Sequence, residues 1–335
     1  MRIENDKPMK VAVLGPGGVG GLLAALLSRR GDRVVCIARP ATCEHLLAEG
    51  LSVRSKRFGN FTATVEAAPE LHSSVDVCFV AVKATELGSA LDRVSHRSLG
   101  NALIVPFLNG IEHMAALREK YGEAVVPATI RVEATRVSPG VIEQASPFAL
   151  IELGLTGSDA GRGQNVRSLG QHLVAAGLDV EIRSDERLML WGKLGFLAPL
   201  ALLTTHEKAA AGEVRTEHRS SLLSVVHEVA EVARRAGAPI DERATLKLFD
   251  SIPASMQSSM QKDAAAGRIT EIEAIGGAIL RAAERLGVEV PVTTKLVADI
   301  RSRETKTQKD RTEKHALSHI DVASVDAAAG VLCKK

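Results

Sequence analysis

Lys10-Val11-Ala12-Val13-Leu14-Gly15-Pro16-Gly17-Gly18-Val19-Gly20-Gly21-Leu22-Leu23 decides how this 335-residue chain is read. Val11 to Leu14 is an unbroken apolar run, as a strand buried on both faces requires. Gly15, Gly17 and Gly20 follow at the G-x-G-x-x-G spacing, and Leu22 to Leu27 continues as an apolar helix. In such a strand–turn–helix unit the first glycine makes the tight turn and the second lets the backbone approach a pyrophosphate. The third lets the helix pack closely on the strand. The helix N-terminus adds N–H donors and a partial positive charge for phosphates. Glycine-rich turns are common by themselves; the strand before this one and the helix after it make it a phosphate-binding turn.

Working outward, Arg29-Arg30-Gly31-Asp32 is a polar helix exit, and Arg33 to Ala38 reads as a second strand with Arg39 at its C-terminal end. An acidic residue there holds a ribose 2′-hydroxyl, whereas an arginine accommodates a 2′-phosphate. Arg39, with no acidic residue beside it in the sequence, therefore favours NADP; the plainer alternative is a surface arginine at a loop start. Leu51 to Val65 suggests a β-hairpin turning at Gly59-Asn60. Val75 to Val82 is a long apolar run closed by Lys83, and Ala102 to Leu108 is another, closed by Asn109-Gly110. These C-terminal strand ends form the edge at which open α/β sheets bind ligands. Lys83 could reach a cofactor phosphate and Asn109 the nicotinamide ribose; either also serves as a strand terminator.

Val125–Thr129, Val141–Gln144 and Ala149–Leu153 read as further strands, Arg167–Ala176 as a helix and Asp179–Arg183 as the last strand. Beyond it the pattern is helical, and the domain boundary is placed between Arg183 and Ser184. Ser184 and Asp185 can cap a long helix through Thr204 that carries Trp191 and Lys193. Further helices are expected over Glu213–Ala236, Asp241–Leu248, Thr270–Leu286 and Val292–Arg301, with a polar connection over Ser251–Gln261. Arg303 to Lys314 is densely charged, a solvated helix or an arm. The expected organisation is an α/β dinucleotide-binding domain over 1–183, an all-α domain over 184–302 and a charged extension over 303–335.

Composition narrows the function. An apolar fraction of 45% and a charged fraction of 24% are ordinary for a globular protein. A net charge of +2 and an aromatic content of 3% argue against a nucleic-acid partner and leave a small molecule as the expected one. Cys36, Cys43, Cys78 and Cys333 form no C-x-x-C pair or metal-ligand spacing, and the ten histidines make no H-E-x-x-H, so no metal is expected. Met1 to Met9 is too polar for a signal peptide, and no apolar run reaches membrane-spanning length, Leu194–Leu203 being the nearest. A cytoplasmic protein with reduced thiols and no membrane partner is expected, and a homodimer is left open.

These residues resemble the ketopantoate reductase family, NADPH-dependent enzymes that reduce 2-dehydropantoate to pantoate. The resemblance spans about residues 9–301. It is carried by Gly15-Pro16-Gly17-Gly18-Val19-Gly20, Arg39, Val82-Lys83-Ala84, Leu108-Asn109-Gly110, Leu190-Trp191-Gly192-Lys193-Leu194, Ser258-Ser259-Met260 and Thr270-Glu271-Ile272-Glu273. It implies a Rossmann domain, an all-helical second domain, and catalysis in the cleft between them. By motif position, Lys193 matches the catalytic lysine, Ser259 the serine that contacts the substrate carboxylate, and Glu271 the glutamate that faces cofactor and lysine. Lys83 and Asn109 match cofactor contacts. The chemistry agrees: hydride addition to a ketone builds negative charge on its oxygen, which an ammonium can stabilise and then protonate. Desolvation would lower the lysine pKa and a nearby carboxylate would raise it. Taken singly, Lys193 could be a snorkelling surface lysine, Ser259 a helix cap, and Glu271 a charge favoured by a helix N-terminus.

The sequence departs from the family where asparagines bind the substrate. Those positions are Leu197, Ala201 and Ala211 here. A site that has lost its amides discriminates less by hydrogen bonding. The leading expectation is reduction of a 2-oxo acid, 2-dehydropantoate, with NADPH and Lys193 as general acid. Its alternatives are a same-fold reductase of a more apolar ketone or imine, and a non-catalytic NADP(H)-binding protein.

Overall fold

A computed structural model describes residues 7–155 and 160–309. Packing divides the chain into two compact units: one runs up to Leu194 and includes Gly237–Ile240, the other takes Gly195–Ala236 and the chain from Asp241. The first unit begins β1 (Lys10–Leu14), α1 (Gly18–Arg30), β2 (Arg33–Ile37), α2 (Pro40–Glu49), β3 (Leu51–Ser55), β4 (Phe61–Ala63) and β5 (Glu66–Ala68). It continues with β6 (Val77–Val80), α3 (Leu87–Leu91), α4 (His96–Leu99), β7 (Leu103–Pro106) and α5 (His113–Tyr121). The order β5-β2-β1-β6-β7, parallel throughout, makes the central sheet.

The apolar run of β1 has a simple cause. Val11 and Val13 point into a core shared with Leu22, Leu23 and Leu26 of α1. Ala12 and Leu14 point into a second core with Leu87, Leu91, Met114 and Leu117 of α3 and α5. Both faces are covered, so no polar residue fits. The strand order reverses at β1, with β2 and β5 on one side and β6 and β7 on the other. The glycine turn therefore stands at a topological switch point, where doubly wound sheets take their ligands.

The unit is completed by β8 (Ala128–Arg131), β9 (Ala134–Ser138), β10 (Val141–Gln144), β11 (Leu150–Gly154), α6 (Ala160–Ala175) and β12 (Asp179–Arg183). They form sheets of order β4-β3-β10-β9 and β12-β11-β8. The β3–β4 hairpin, β10 and β12 lie where the sequence places them. The strand expected over Val125–Thr129 lies instead at Ala128–Arg131, because Val125 makes only an isolated bridge to Ile104. Neither β5 nor β9 is foreseen: both are short, partly or wholly exposed and without an apolar run. Cys36, Cys43 and Cys78 are buried free thiols, and burial pushes Cys36 and Cys78 up to about 12, leaving them protonated and inert.

Next comes α7 (Glu186–Glu207), whose first turn is capped by Asp185 Oδ1 accepting from Leu188 N–H at 2.9 Å. The packing division falls inside this helix, after Leu194, whereas the sequence boundary lies just before it. The expectation of no membrane-length run needs correcting here. By length and composition α7 could cross a membrane; 72% of its most apolar window is buried inside the structure.

The second unit continues with α8 (Ala211–Glu217), α9 (Arg219–Arg235), α10 (Glu242–Ser251), α11 (Ser259–Ala265), a π-helical turn (Glu273–Gly277), α12 (Ala278–Leu286) and α13 (291–309). The single helix expected over Glu213–Ala236 is broken at His218. The buried Glu228 carboxylate of α9 accepts the N–H groups of Val292 and Thr293 at 2.9 and 2.8 Å, capping α13 from a distant part of the chain. Of the charged extension, 303–309 continues α13; residues 310–335, with Cys333, lie outside the described residues.

Candidate active site

Gly15 and Gly20 make the tight turn and the close helix–strand packing that the spacing predicts. Gly15 adopts φ +89°, and a Cβ there would stand 2.6 Å from Val82 Cγ1. At Gly20 a Cβ would meet Gly15 O at 2.3 Å and Val13 Cγ1 at 3.1 Å, so this residue permits helix and strand to touch. Gly17 is different: a Cβ there would meet nothing within 4 Å. It is the N-cap of α1, with no side chain capping the helix and no acid in its first turn. An open, acid-free helix N-terminus beside a bare backbone fits a pyrophosphate. Pro16 is buried, and Val19 packs against the core below.

Gly18 carries a constraint the motif does not reveal. Its Cβ would lie 2.1 Å from Ala134 O of β9, and one at Gly21 would lie 2.7 Å from Ile142 Cδ1 of β10. The sequence counts Gly18 with the cofactor contacts; the second sheet also crosses α1 so closely that packing by itself requires a glycine at this position.

Three further elements end at the same edge. Arg39 follows β2 and forms the N-cap of α2. Contrary to the sequence reading, it has an acidic neighbour, Glu86, whose Oε1 lies 2.6 Å from Arg39 Nη2. The partner comes from the 3-10 turn Ala84–Glu86, so adjacency in the chain could not reveal it. Lys83 opens that turn after β6, and Asn109 follows β7; both are half-buried.

Lys193 joins them. It is half-buried on α7, and its Nζ donates to Leu108 O at 3.3 Å, directly before Asn109. It is therefore not a snorkelling surface lysine. Met189 and Leu190, one turn earlier, sit in the core of the first unit and fix this part of the helix. The parallel sheet thus brings the glycine turn, Arg39, Lys83, Asn109 and Lys193 to one edge.

His113, the first residue of α5, is the residue that sequence reasoning missed. It is 6% exposed, and neither ring nitrogen has a hydrogen-bond partner among the described residues. Burial first, and then the positive charge of Lys193, lower its pKa from 6.5 to about 3, so the imidazole is neutral. Only its position shortly after Asn109 hints at this. Unfolding between those two pH values takes up a proton. The stability that neutral His113 contributes is therefore complete above about pH 6.5 and is lost as pH falls toward 3, by up to about 1.4 kcal/mol per pH unit. Urea midpoints near pH 7.5 and pH 5 are expected to differ more for the parent than for His113→Gln. Equal differences would count against this.

In the second unit, Leu197 is half-buried and Ala201 wholly buried, so of the two apolar replacements Leu197 alone keeps an accessible side chain. Pro199 lies between them and removes the N–H that would reach the Gly195 carbonyl. Ser259 is exposed on the first turn of α11. It is not the helix cap: Ser258 accepts from Gln261 N–H at 3.0 Å and bonds Thr204 of α7 at 2.8 Å. Glu271 is buried, 8% exposed, just before the π-helical turn. A Cβ at Gly276 in that turn would meet Val297 Cγ2 at 2.5 Å and Leu202 Cδ2 of α7 at 3.1 Å. The start of α11 and the turn after Glu271 thus both pack on α7 close to Ala201. Ala211, the third replaced position, is buried.

The model of ketopantoate reductase PanE/ApbA matches residues 11–156, and that of its C-terminal region matches residues 185–304. The chain belongs to the ketopantoate reductase family. It is similar to the uncharacterized oxidoreductase YkpB of Bacillus subtilis, 28% identical over 309 residues, covering 89% of this chain and 100% of that one. A PanE/ApbA family ketopantoate reductase from Ralstonia eutropha superposes with a TM-score of 0.80 at 28% identity, covering 90% of this chain and 100% of the other. A D-mandelate dehydrogenase solved with NADH and anilino(oxo)acetate shares the fold, with a TM-score of 0.82 at 22% identity and coverage of 90% and 99%. As a member of a ketopantoate reductase family built on a Rossmann-like sheet and a helical domain, the chain is an oxidoreductase of that type.

Proposed function

We propose that this protein reduces the carbonyl of a 2-oxo acid, in the first instance 2-dehydropantoate to pantoate, with NADPH as hydride donor and Lys193 as general acid. The observation that carries the reading is the Lys193 amine at 3.3 Å from Leu108 O, at the sheet edge that also holds the glycine turn. The bare backbone at Gly17 and the uncapped start of α1 receive the pyrophosphate. Arg39 and Lys83 serve the phosphates, and Asn109 the nicotinamide ribose. A bound nicotinamide supplies the hydride to the carbonyl carbon. Lys193 then does two things: its charge stabilises the developing alkoxide, and its proton passes to that oxygen. Ser259, exposed and spared the capping role, donates to the substrate carboxylate. Glu271 keeps the role that the resemblance implies, a carboxylate serving cofactor and lysine.

A second reading of the substrate rests on Leu197, an accessible apolar side chain where the family has an amide. It gives a more apolar ketone or imine, and the D-mandelate dehydrogenase of like fold was solved with a 2-oxo acid amide of aromatic character, anilino(oxo)acetate. Oxidation of NADPH with 2-dehydropantoate and a series of 2-oxo acids with longer apolar side chains tests both. Highest kcat/KM for 2-dehydropantoate supports the first, a rise with apolar length the second. Cofactor binding without turnover of any of them would contradict both and favour a non-catalytic binding protein. Cytoplasmic placement and a homodimeric state belong to the same proposal.

A further inference from the structure

Arg39 leaves the C-terminal end of β2, and Glu86 ends the turn that follows β6. Those two strands lie on either side of β1. Their ion pair, 2.6 Å between Nη2 and Oε1, therefore passes across the C-terminal end of β1, where the chain turns through the glycines. The two side chains are 69% and 50% exposed, so the pair belongs to no core, and an exposed pair of this kind contributes little to folding. If the glycine turn holds a dinucleotide, the pair stands at the adenosine-ribose end of it. At that place an arginine accommodates a 2′-phosphate and a carboxylate accepts from a 2′-hydroxyl. This chain has one of each, bonded together.

We propose that Glu86 is a cofactor-specificity residue that competes with the ribose 2′-phosphate for Arg39. A dianionic phosphate must part the pair and then stand near the displaced carboxylate. A ribose with a free 2′-hydroxyl leaves the pair in place and finds an acceptor in Glu86. The protein accordingly binds NADH and NADPH with closer affinities than Arg39 alone would give. The inference rests on the reading that the glycine turn holds a nicotinamide dinucleotide.

Equilibrium titration of nicotinamide fluorescence, with NADPH and NADH on the parent, Glu86→Gln and Arg39→Ala, tests it without recourse to turnover. Displacement by adenosine 2′,5′-bisphosphate and by 5′-AMP isolates the ribose end. Glu86→Gln is expected to tighten NADPH and the bisphosphate about tenfold, the scale of repulsion between a carboxylate and a dianion a few ångströms apart in water. NADH and 5′-AMP should stay level or weaken, and Arg39→Ala should weaken only the ligands that carry a 2′-phosphate. A ratio of NADPH to NADH affinity that Glu86→Gln leaves unchanged, with both dinucleotides bound, overturns the proposal while sparing the cofactor reading. Failure of the parent to bind either dinucleotide overturns the cofactor reading and this proposal with it.

Discussion

Lys193→Ala is expected to lower kcat by about a thousandfold, the middle of the range for a positioned general acid that also stabilises the developing charge. Dinucleotide affinity should change little, because the amine stands at Leu108 O rather than at the glycine turn. Exogenous alkylammonium ions should restore part of the rate in the alanine variant and none in the parent. A variant that keeps a tenth or more of parental kcat would remove Lys193 from the chemistry. A variant that loses dinucleotide binding as well would assign the residue a structural task instead. Since Lys193 is only half-buried, its truncation should leave the urea midpoint nearly unchanged.

A pair of neighbouring glycines gives the second large effect, one on dinucleotide binding and the other on folding. Gly17→Ala adds a methyl group to open space at a backbone of φ −79°, which alanine adopts freely, so the protein should fold with its parental midpoint. That methyl would occupy the space a pyrophosphate needs, and dinucleotide affinity should fall by tenfold or more. Gly18→Ala puts its methyl 2.1 Å from Ala134 O, a backbone atom of a paired strand that cannot swing aside. Either α1 or β9 must shift, at a cost of about 1–3 kcal/mol or more. The expected result is a lower urea midpoint for Gly18→Ala and a parental one for Gly17→Ala. Equal stability of the two variants would contradict the packing described for Gly18.

What was legible in the sequence is what local pattern can encode. Val11 to Leu14 shows a strand covered on both faces because each of its residues enters one of two cores. The glycine spacing shows the turn because φ +89° at Gly15 and close packing at Gly20 are requirements on single residues. Asp185, capping a helix from directly before it, is readable in the same way. The remainder depends on partners brought from elsewhere. Glu86 reaches Arg39 across 47 positions, and β9 reaches Gly18 from beyond the whole parallel sheet. His113 looks like any residue at the start of a helix until burial and Lys193 surround it. The π-helical turn after Glu271 carries Gly276 against Val297, a contact with a helix still to come in the chain. The distinction between Ser258 as cap and Ser259 as exposed hydroxyl likewise waited on geometry, since either serine suits the motif.

The central claim is direct hydride transfer from a dinucleotide seated on the glycine turn to a carbonyl whose oxygen Lys193 protonates. Its most direct test is a single-turnover reduction with NADPH stereospecifically deuterated at C4 of the nicotinamide, followed by NMR of the hydroxy-acid product. Deuterium at the new carbinol carbon from one of the two C4 faces only, with the hydroxyl hydrogen drawn from solvent, is the predicted result. A product whose carbinol hydrogen comes from water, or label delivered equally from both faces, would contradict the account.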